Sequence, residues 1–437
     1  MHHTKIMEVK FQTLLIFLKL ETHFQFCIIL QNMKLLSYGK AMISRENYLQ
    51  QLIQFKDTDF IKVISGVRRS GKSVLLMQYR DYLQQQGIAS ENIIYFNFES
   101  FEYQWVKDAQ DFQQLIQEKM PPSPAKTYFL IDEIQFVEGW QKIVNALRVS
   151  FNTDIVITGS NANLLSGELA TLLSGRYVEI KIYPLSFKEF LRSKNVDGQS
   201  RLVDKLYSEY EKYGGFPSVA IADEPLKETI LSGIFDSIVL NDIAHRAGVK
   251  DTHILKSVIL FLADNVGQLV NPSKISNTLT SERVPTSNHT ISKYLDLLEN
   301  AFLFYKAKQY DIRGKGYLKT NAKYFIVDNG LRRHAIGKKG ANYANRLENI
   351  VFIELLRRGY TVDVGKLDSK EIDFIARKAD EILYVQVAFE IPENTHETDN
   401  LLHIKDNYKK ILITGKYYEQ TEIDGIEVIY VVDWLLQ

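Results

Sequence analysis

One cysteine, Cys27, stands in 437 residues. It excludes an internal disulfide and any zinc site built from several thiolates. A reducing, cytoplasmic setting is the expectation that follows. Charge of one sign is also missing. Lys+Arg and Asp+Glu are both 53, so a surface for nucleic acid would have to be local. No apolar run approaches the ~20 residues of a membrane-spanning helix, and no membrane partner is expected. Proline is scarce, nine in all, and Pro121, Pro122 and Pro124 share one loop. Residues 1–41 are apolar in patches (Phe11–Leu18, Phe24–Leu30) broken by Lys19 and Glu21. With no small-residue cleavage site, they read as a non-conserved N-terminal extension, with Met42 the expected start.

What is present begins at Ile43. Short apolar runs rich in β-branched residues predict strands at Phe60–Ser65, Ile93–Phe98, Thr127–Ile131, Asp154–Thr158 and Tyr177–Ile182. Helical spacing predicts Lys72–Gln86, stopped by Gly87, and Gly139–Phe151. Alternating strands and helices imply a parallel sheet covered on both faces. After Pro184 the pattern turns helical: Ser186–Lys194, Ser200–Tyr213 and Lys227–Ala244. Thr252–Val266, Pro272–Thr280 and Asn288–Asn300 follow, then a strand from Phe302 to Tyr310. Three helices and a ribbon are the outline of a winged helix. From Tyr343 the chain is again α/β, with a helix to Arg358 and strands near Thr361, Ile372, Ile382–Val387, Lys410–Thr414 and Val428–Val432.

Gly66-Val67-Arg68-Arg69-Ser70-Gly71-Lys72-Ser73 has the spacing G-x-x-x-x-G-K-S between a predicted strand and a predicted helix. The glycines let backbone N–H groups face phosphates, and the helix beginning there adds its positive end. Lys72 is expected at the β- and γ-phosphates and Ser73 at Mg²⁺, with Val74 closing the binding set. Chance produces this pattern in a chain of such length on the order of one time in a hundred.

Tyr128-Phe129-Leu130-Ile131-Asp132-Glu133 is an apolar strand ending in two acids. The carboxylates fall at the C-terminal edge of the sheet, where open α/β sheets bind ligands. Asp132 is expected in the Mg²⁺ shell and Glu133 as general base toward the attacking water. The strand between the two motifs and the acid after Asp132 resemble the AAA+ branch of P-loop ATPases. No Asn-Lys-x-Asp motif is present, so ATP is favoured over GTP. Ser160 and Asn161, at the tip of the fourth strand, are candidates for contacting nucleotide and positioning water. Their alternative is to cap the segment that starts at Ala162. Arg176 is a candidate sensor or arginine finger, as is Arg246. The alternative for both is a surface ion pair.

Together with Thr158-Gly159-Ser160, Leu173-Ser174-Gly175-Arg176-Tyr177, Pro184-Leu185-Ser186-Phe187 and Tyr213-Gly214-Gly215-Phe216-Pro217, these motifs resemble prokaryotic AAA-superfamily ATP-binding proteins. Those proteins carry a C-terminal domain similar to restriction endonucleases. The resemblance implies a P-loop core at 42–184, a helical lid at 185–248, a winged helix at 249–320 and an endonuclease-like α/β domain at 321–437. It further implies Mg-dependent ATP hydrolysis, with self-association and an unidentified protein client. The alternatives are an ATP-gated switch with little turnover and an ATP-dependent nuclease.

DNA is a candidate partner through the winged helix and the stretch 306–346, which holds eleven Lys/Arg against Asp311 and Asp328. Arg313, Lys315 and Lys319 are the expected wing tip. In the nuclease-like part, Glu348 and Asp373 are the expected metal carboxylates. Position 386 is Gln, and position 388, where the pattern wants lysine, is Ala. No lysine stands nearby on that strand, so this domain is expected to be inactive, with Glu348 and Asp373 kept as a structural pair; the alternative is residual activity with a displaced lysine.

Overall fold

The computed structural model describes residues 42–122, 125–165, 173, 175–245, 249, 251–337, 343–391 and 396–437. The extension 1–41 and Arg246 lie outside the described residues. The chain divides into Met1–Ser44 and Arg45–Gln437. Of the first unit only residues 42–44 are described, and they form no helix or strand. The second unit contains everything that follows.

Five parallel strands form the first sheet: β1 (Ile61–Ser65), β2 (Ile93–Asn97), β3 (Thr127–Asp132), β4 (Thr153–Gly159) and β5 (Tyr177–Lys181), in the order β2-β3-β4-β1-β5. Successive side chains alternate between the two faces. Val63, Phe129, Ile131, Ile155 and Ile157 pack with Phe112 and Trp140 on one side. Ile64, Leu130 and Val156 pack with Leu52, Leu75, Leu76 and Tyr79 on the other. Helices Ala109–Lys119 and Trp140–Ser150 cover the first face, and Glu46–Gln54 and Lys72–Gln85 the second. Lys62 interrupts the apolar run of β1, fully buried, because Asp154 on the neighbouring strand meets its ammonium at 2.8 Å.

In the stretch expected to be a lid, helices occur at Phe187–Ser193, Val203–Tyr213 and Glu224–Asp236, the last continued by a π-helical stretch, Ser237–His245. The Ser186–Glu189 capping box starts the first of them. Three helices follow at Thr252–Asp264, Pro272–Ser281 and Asn288–Asn300, as the spacing predicts.

The ribbon is where sequence and structure part. β6 (Phe304–Asp311) and β7 (Gly316–Ile326) form an antiparallel pair, but β6 also pairs in parallel with β8 (Thr361–Leu367). The pair therefore ends a mixed eight-stranded sheet. The remaining strands are β9 (Lys370–Lys378), β10 (Glu381–Ala388), β11 (Lys409–Thr414), β12 (Glu422–Ile423) and β13 (Ile426–Tyr430), in the order β12-β13-β11-β10-β9-β8-β6-β7. The boundary expected at 320/321 falls inside the unbroken strand β7. The ribbon is as much part of the C-terminal sheet as of the helices before it. The strand expected to reach Val432 stops at Tyr430 and becomes the helix Val431–Leu436. Helix Tyr343–Arg357 covers one face of this sheet, stacking Phe352 on Phe325 with ring centroids 4.0 Å apart. Helix His396–Leu402 contributes Leu401 to the core on the other face.

The motif Tyr213–Pro217 locks the lid helices to this second region. Asp328 Oδ2 accepts the Gly215 N–H at 2.7 Å. A Cβ on Gly214 would lie 1.9 Å from the same carboxylate, and one on Gly330 would lie 2.1 Å from the Tyr213 carbonyl. The paired glycines therefore serve docking, where only hydrogen fits.

Candidate active site

The loop after β1 needs conformations that ordinary residues avoid. Gly66 has φ +146° and Gly71 φ +102°, and a Cβ on Gly66 would meet the Ile182 carbonyl at 2.2 Å. Arg69 takes φ 68° and is exposed. Val67 and Ser70 are buried and Val74 half-buried, so the loop rests on the core. Helix Lys72–Gln85 starts at its end. Its first N–H groups are unpaired by geometry and form a ready anion site. Lys72 Nζ donates to the Gly66 and Val67 carbonyls at 3.2 and 3.3 Å and lies 3.8 Å from Glu133 Oε1.

β3 delivers the two acids. Asp132 ends the strand, 1% exposed, and accepts a hydrogen bond from Ser73 and another from Thr158 Oγ1. Tyr95 Oη approaches its second oxygen at 3.3 Å. Burial raises the Asp132 pKa, and Glu133 beside it raises it further, against Ser73, Thr158 and Lys72. Glu133 stands at φ 53°, ψ 48°, a left-handed conformation in a non-glycine residue. Such strain costs about 1–3 kcal/mol and collects at functional sites. The Glu133 N–H donates to Thr158 Oγ1 at 2.9 Å, and Gln135 hydrogen-bonds its carboxylate.

A hydroxyl and a buried carboxylate of raised pKa, hydrogen-bonded to each other at the mouth of an anion-binding loop, suit a hard divalent cation. Mg²⁺ is held through one or two protein oxygens plus phosphate and water. The described residues contain no cluster of three or more His, Cys, Asp or Glu fit to hold a metal. Ser73 and Asp132 would be the protein oxygens at such a cation.

Of the remaining candidates, Asn161 is half-buried and lines a cleft of about 1030 Å³ together with Arg68 and Gln135. Ser160 is buried immediately after β4, and a 3₁₀ turn, Ala162–Leu165, follows both. Arg176 does not join the site. Its carbonyl accepts from Ile61 at the opposite end of β1, and its side chain is exposed. With Ile61 opposite Tyr177 and Ser65 opposite Lys181, the strand separates Arg176 from its own loop by ~16 Å.

Sequence reasoning missed three contributors. Thr158 bridges Asp132 and Glu133, where the polar residues two and three positions later had been expected. Gln135 holds Glu133. Arg45, fully buried, donates Nε to Glu189 at 2.9 Å and its two terminal nitrogens to the Ser70 and Tyr183 carbonyls at 2.8 and 2.7 Å. It ties the phosphate loop to the first lid helix. Nothing in the local sequence marks it, because its partners lie 25 to 144 residues away.

The C-terminal expectations also change. Lys323 on β7 sits among Glu371, Glu348 and Asp373, at 2.7, 2.9 and 3.7 Å. A lysine is therefore close, supplied by β7 at the edge of the sheet instead of by β10. Asp373 further accepts from the Val387 N–H at 2.9 Å. Among the described residues the basic stretch does not form one surface. Arg332 is buried against the Ala263 carbonyl, Arg333 pairs with Glu228, Arg346 with Glu211 and Arg313 with Asp368. Lys306, Lys308 and Lys315 are exposed, and the Lys319 side chain lies outside the described residues. Helix Asn288–Asn300 buries Ile291, Leu295 and Leu298 and exposes Lys293 and Asp296, as its spacing predicts. Among the described residues no helix is long and apolar enough to cross a membrane.

Comparison with known proteins agrees with the first sheet. Residues 58–191 match an AAA domain family, and residues 204–342 match a family described as a domain of unknown function. The second match runs across the helices Val203–Tyr213 and Glu224–Asp236, the three following helices and the β6–β7 ribbon. Among solved structures, the Walker-type ATPase PABY2304 of Pyrococcus abyssi is 14% identical with a TM-score of 0.45. The overlay covers 67% of this chain and 95% of that one. An uncharacterized protein of Haemophilus influenzae is 97% identical over 399 residues, 91% of this chain and 100% of that protein. The uncharacterized protein MJ1544 of Methanocaldococcus jannaschii is 31% identical over 94% of both chains. The chain belongs to the family of these two proteins and carries an AAA domain of the P-loop type.

Proposed function

We propose that the chain binds Mg·ATP at Gly66–Ser73 and hydrolyses it. The observation that carries this reading is the convergence of Lys72, Ser73, Asp132 and the strained Glu133 at the C-terminal edge of one sheet. The loop amides and the start of helix Lys72–Gln85 take the phosphates. Lys72, now folded onto two carbonyls of its own loop, turns to the β- and γ-phosphate oxygens. Ser73 and Asp132 hold Mg²⁺, which when bound neutralises charge on those oxygens. Glu133, aimed by Thr158 and Gln135, orients the attacking water and accepts its proton. Asn161, on the same cleft as Arg68 and Gln135, lies where a polar group can steady that water.

Arg176, exposed at the far edge, suits contact with another copy of the chain better than its own site. The Lys323 cluster supports a structural role for the C-terminal acids. Its ammonium lies within 3.7 Å of all three and is paired directly with Glu371 and Glu348. Titrating the protein with ATP, with Mg²⁺ and with EDTA, tests the binding half. We expect Mg-dependent binding that Lys72→Ala weakens by at least ~10-fold. Equal affinity in the variant would overturn the assignment.

A further inference from the structure

Arg68 is a phosphate-loop side chain that reaches the helical stretch after Asp236. Its guanidinium pairs with Glu99, which follows β2, and reaches Asp242 Oδ1 at 3.4 Å. Asp242 is 3% exposed and belongs to the π-helical stretch Ser237–His245. Nine residues of π-helix are unusual, and such stretches are frequent at functional sites. Around Asp242, Ile238, Val239, Ile243 and Ala244 are buried, so a shift at one end of the stretch is carried along it. Arg68 also lies in the field of Glu133. Against burial, Asp242, Glu99 and Glu133 hold its pKa above the ordinary value.

A guanidinium has five donors in a planar fork that matches phosphate oxygens in pairs. A terminal phosphate beside Lys72 and Glu133 brings a further anion to the loop that carries Arg68. That anion competes with Asp242 and Glu99 for the same donors and repels both carboxylates. A diphosphate, lacking the terminal group, makes much less of this demand.

We propose that Asp242 sets the discrimination between nucleoside triphosphate and diphosphate, by competing with the terminal phosphate for Arg68 and passing the outcome to the stretch Ser237–His245. In the diphosphate form Arg68 stays with Asp242 and the stretch is held. In the triphosphate form Arg68 turns inward, the pair with Asp242 weakens and the stretch loosens. This rests on nucleotide binding at the loop, as proposed above.

The test is Mg-dependent binding of AMPPNP and of ADP to wild type, Asp242→Asn and Glu99→Gln, with hydrogen exchange followed over Ser237–His245. Asp242→Asn removes the competitor's charge at similar volume. It is expected to tighten AMPPNP ~5- to 10-fold while ADP affinity moves by less than about two-fold. Glu99→Gln, at a more exposed position, is expected to act in the same direction and by less. In wild type, exchange in the stretch is expected to rise with AMPPNP and not with ADP, and Asp242→Asn is expected to abolish that difference. An unchanged AMPPNP/ADP ratio in both variants, with exchange indifferent to the nucleotide, would overturn the latch and leave ATP binding standing. Failure of wild type to bind either nucleotide would overturn both. ADP binding by Asp242→Asn also reports that the variant is folded.

Discussion

Lys72 and Lys323 stand in matched surroundings and do different things. Each is a nearly buried ammonium, 3–4% exposed, beside carboxylates at a sheet edge. Lys72 lies 3.8 Å from Glu133 and is otherwise held by two carbonyls of its own loop, while next to it Asp132 is a carboxylate whose pKa burial and Glu133 push up. Lys323 is gripped by two carboxylates within 2.9 Å and a third within 3.7 Å. Burial alone would lower its pKa, yet Glu348, Asp373 and Glu371 hold it well above the ordinary value. The first constellation is strained at Glu133, and on the proposed reading a cation and a phosphate would join it. In the second, three carboxylates close directly on one ammonium. The same residue types lie open beside a phosphate-binding loop in one place and grip each other in the other.

The sharpest way to break this comparison is to remove each lysine. Lys72→Ala is expected to lower ATP hydrolysis by ~10²- to 10³-fold with a melting temperature close to wild type. Lys323→Met leaves three acids without their cation and is expected to cost about 3–5 kcal/mol of stability, read by urea unfolding. Its turnover per folded molecule should match wild type. Metal-dependent DNA cleavage lost in Lys323→Met would show instead that the second cluster reacts.

Asp328, which joins the two regions, gives a smaller effect with a definite sign. Burial lifts its pKa from 3.8 to about 6, opposed by N–H donors from Gly215, Gly330 and Leu331. Folding therefore takes up a proton between those values. Its contribution to stability is full below pH ~4 and falls as pH rises toward 6, by about 3 kcal/mol in all. Urea unfolding against pH should show this slope in wild type and a flatter one in Asp328→Asn. An identical slope would contradict the assignment.

The smallest effect concerns the ribbon. Arg313 and Asp368 are both more than half exposed, so Arg313→Ala is expected to change stability by less than about 1 kcal/mol. Removing Lys306 and Lys308 together is expected to change affinity for duplex DNA by less than about three-fold at physiological salt. A larger loss would restore a DNA-binding face to this part of the chain.

The first sheet was legible because its signals are local. Each strand carries its apolar run, and the loop from Gly66 to Ser73 carries its own spacing. Asp132 and Glu133 end a strand that composition alone identifies. Thr158 was missed by two residues, because nothing in Ile157-Thr158-Gly159-Ser160-Asn161 says which side chain turns toward β3. That is decided by the register of β3 against β4. Arg45, Asp242 and Lys323 were invisible for one common reason. Each is a charged residue whose meaning lies in partners more than twenty residues away, brought close only by tertiary packing. The β6–β7 ribbon was read as a wing because its antiparallel half is local, whereas its parallel pairing with β8 spans some fifty residues.

The account's central claim is tested most directly by steady-state ATP hydrolysis with wild type and Glu133→Gln, alongside ATP binding by the same two proteins. The account predicts Mg-dependent turnover in wild type and a loss of ~10²- to 10⁴-fold in the variant, with binding preserved. Turnover that survives Glu133→Gln, or binding lost with it, would contradict the assignment of Glu133 and with it the reading of this edge of the sheet as the place where ATP is hydrolysed.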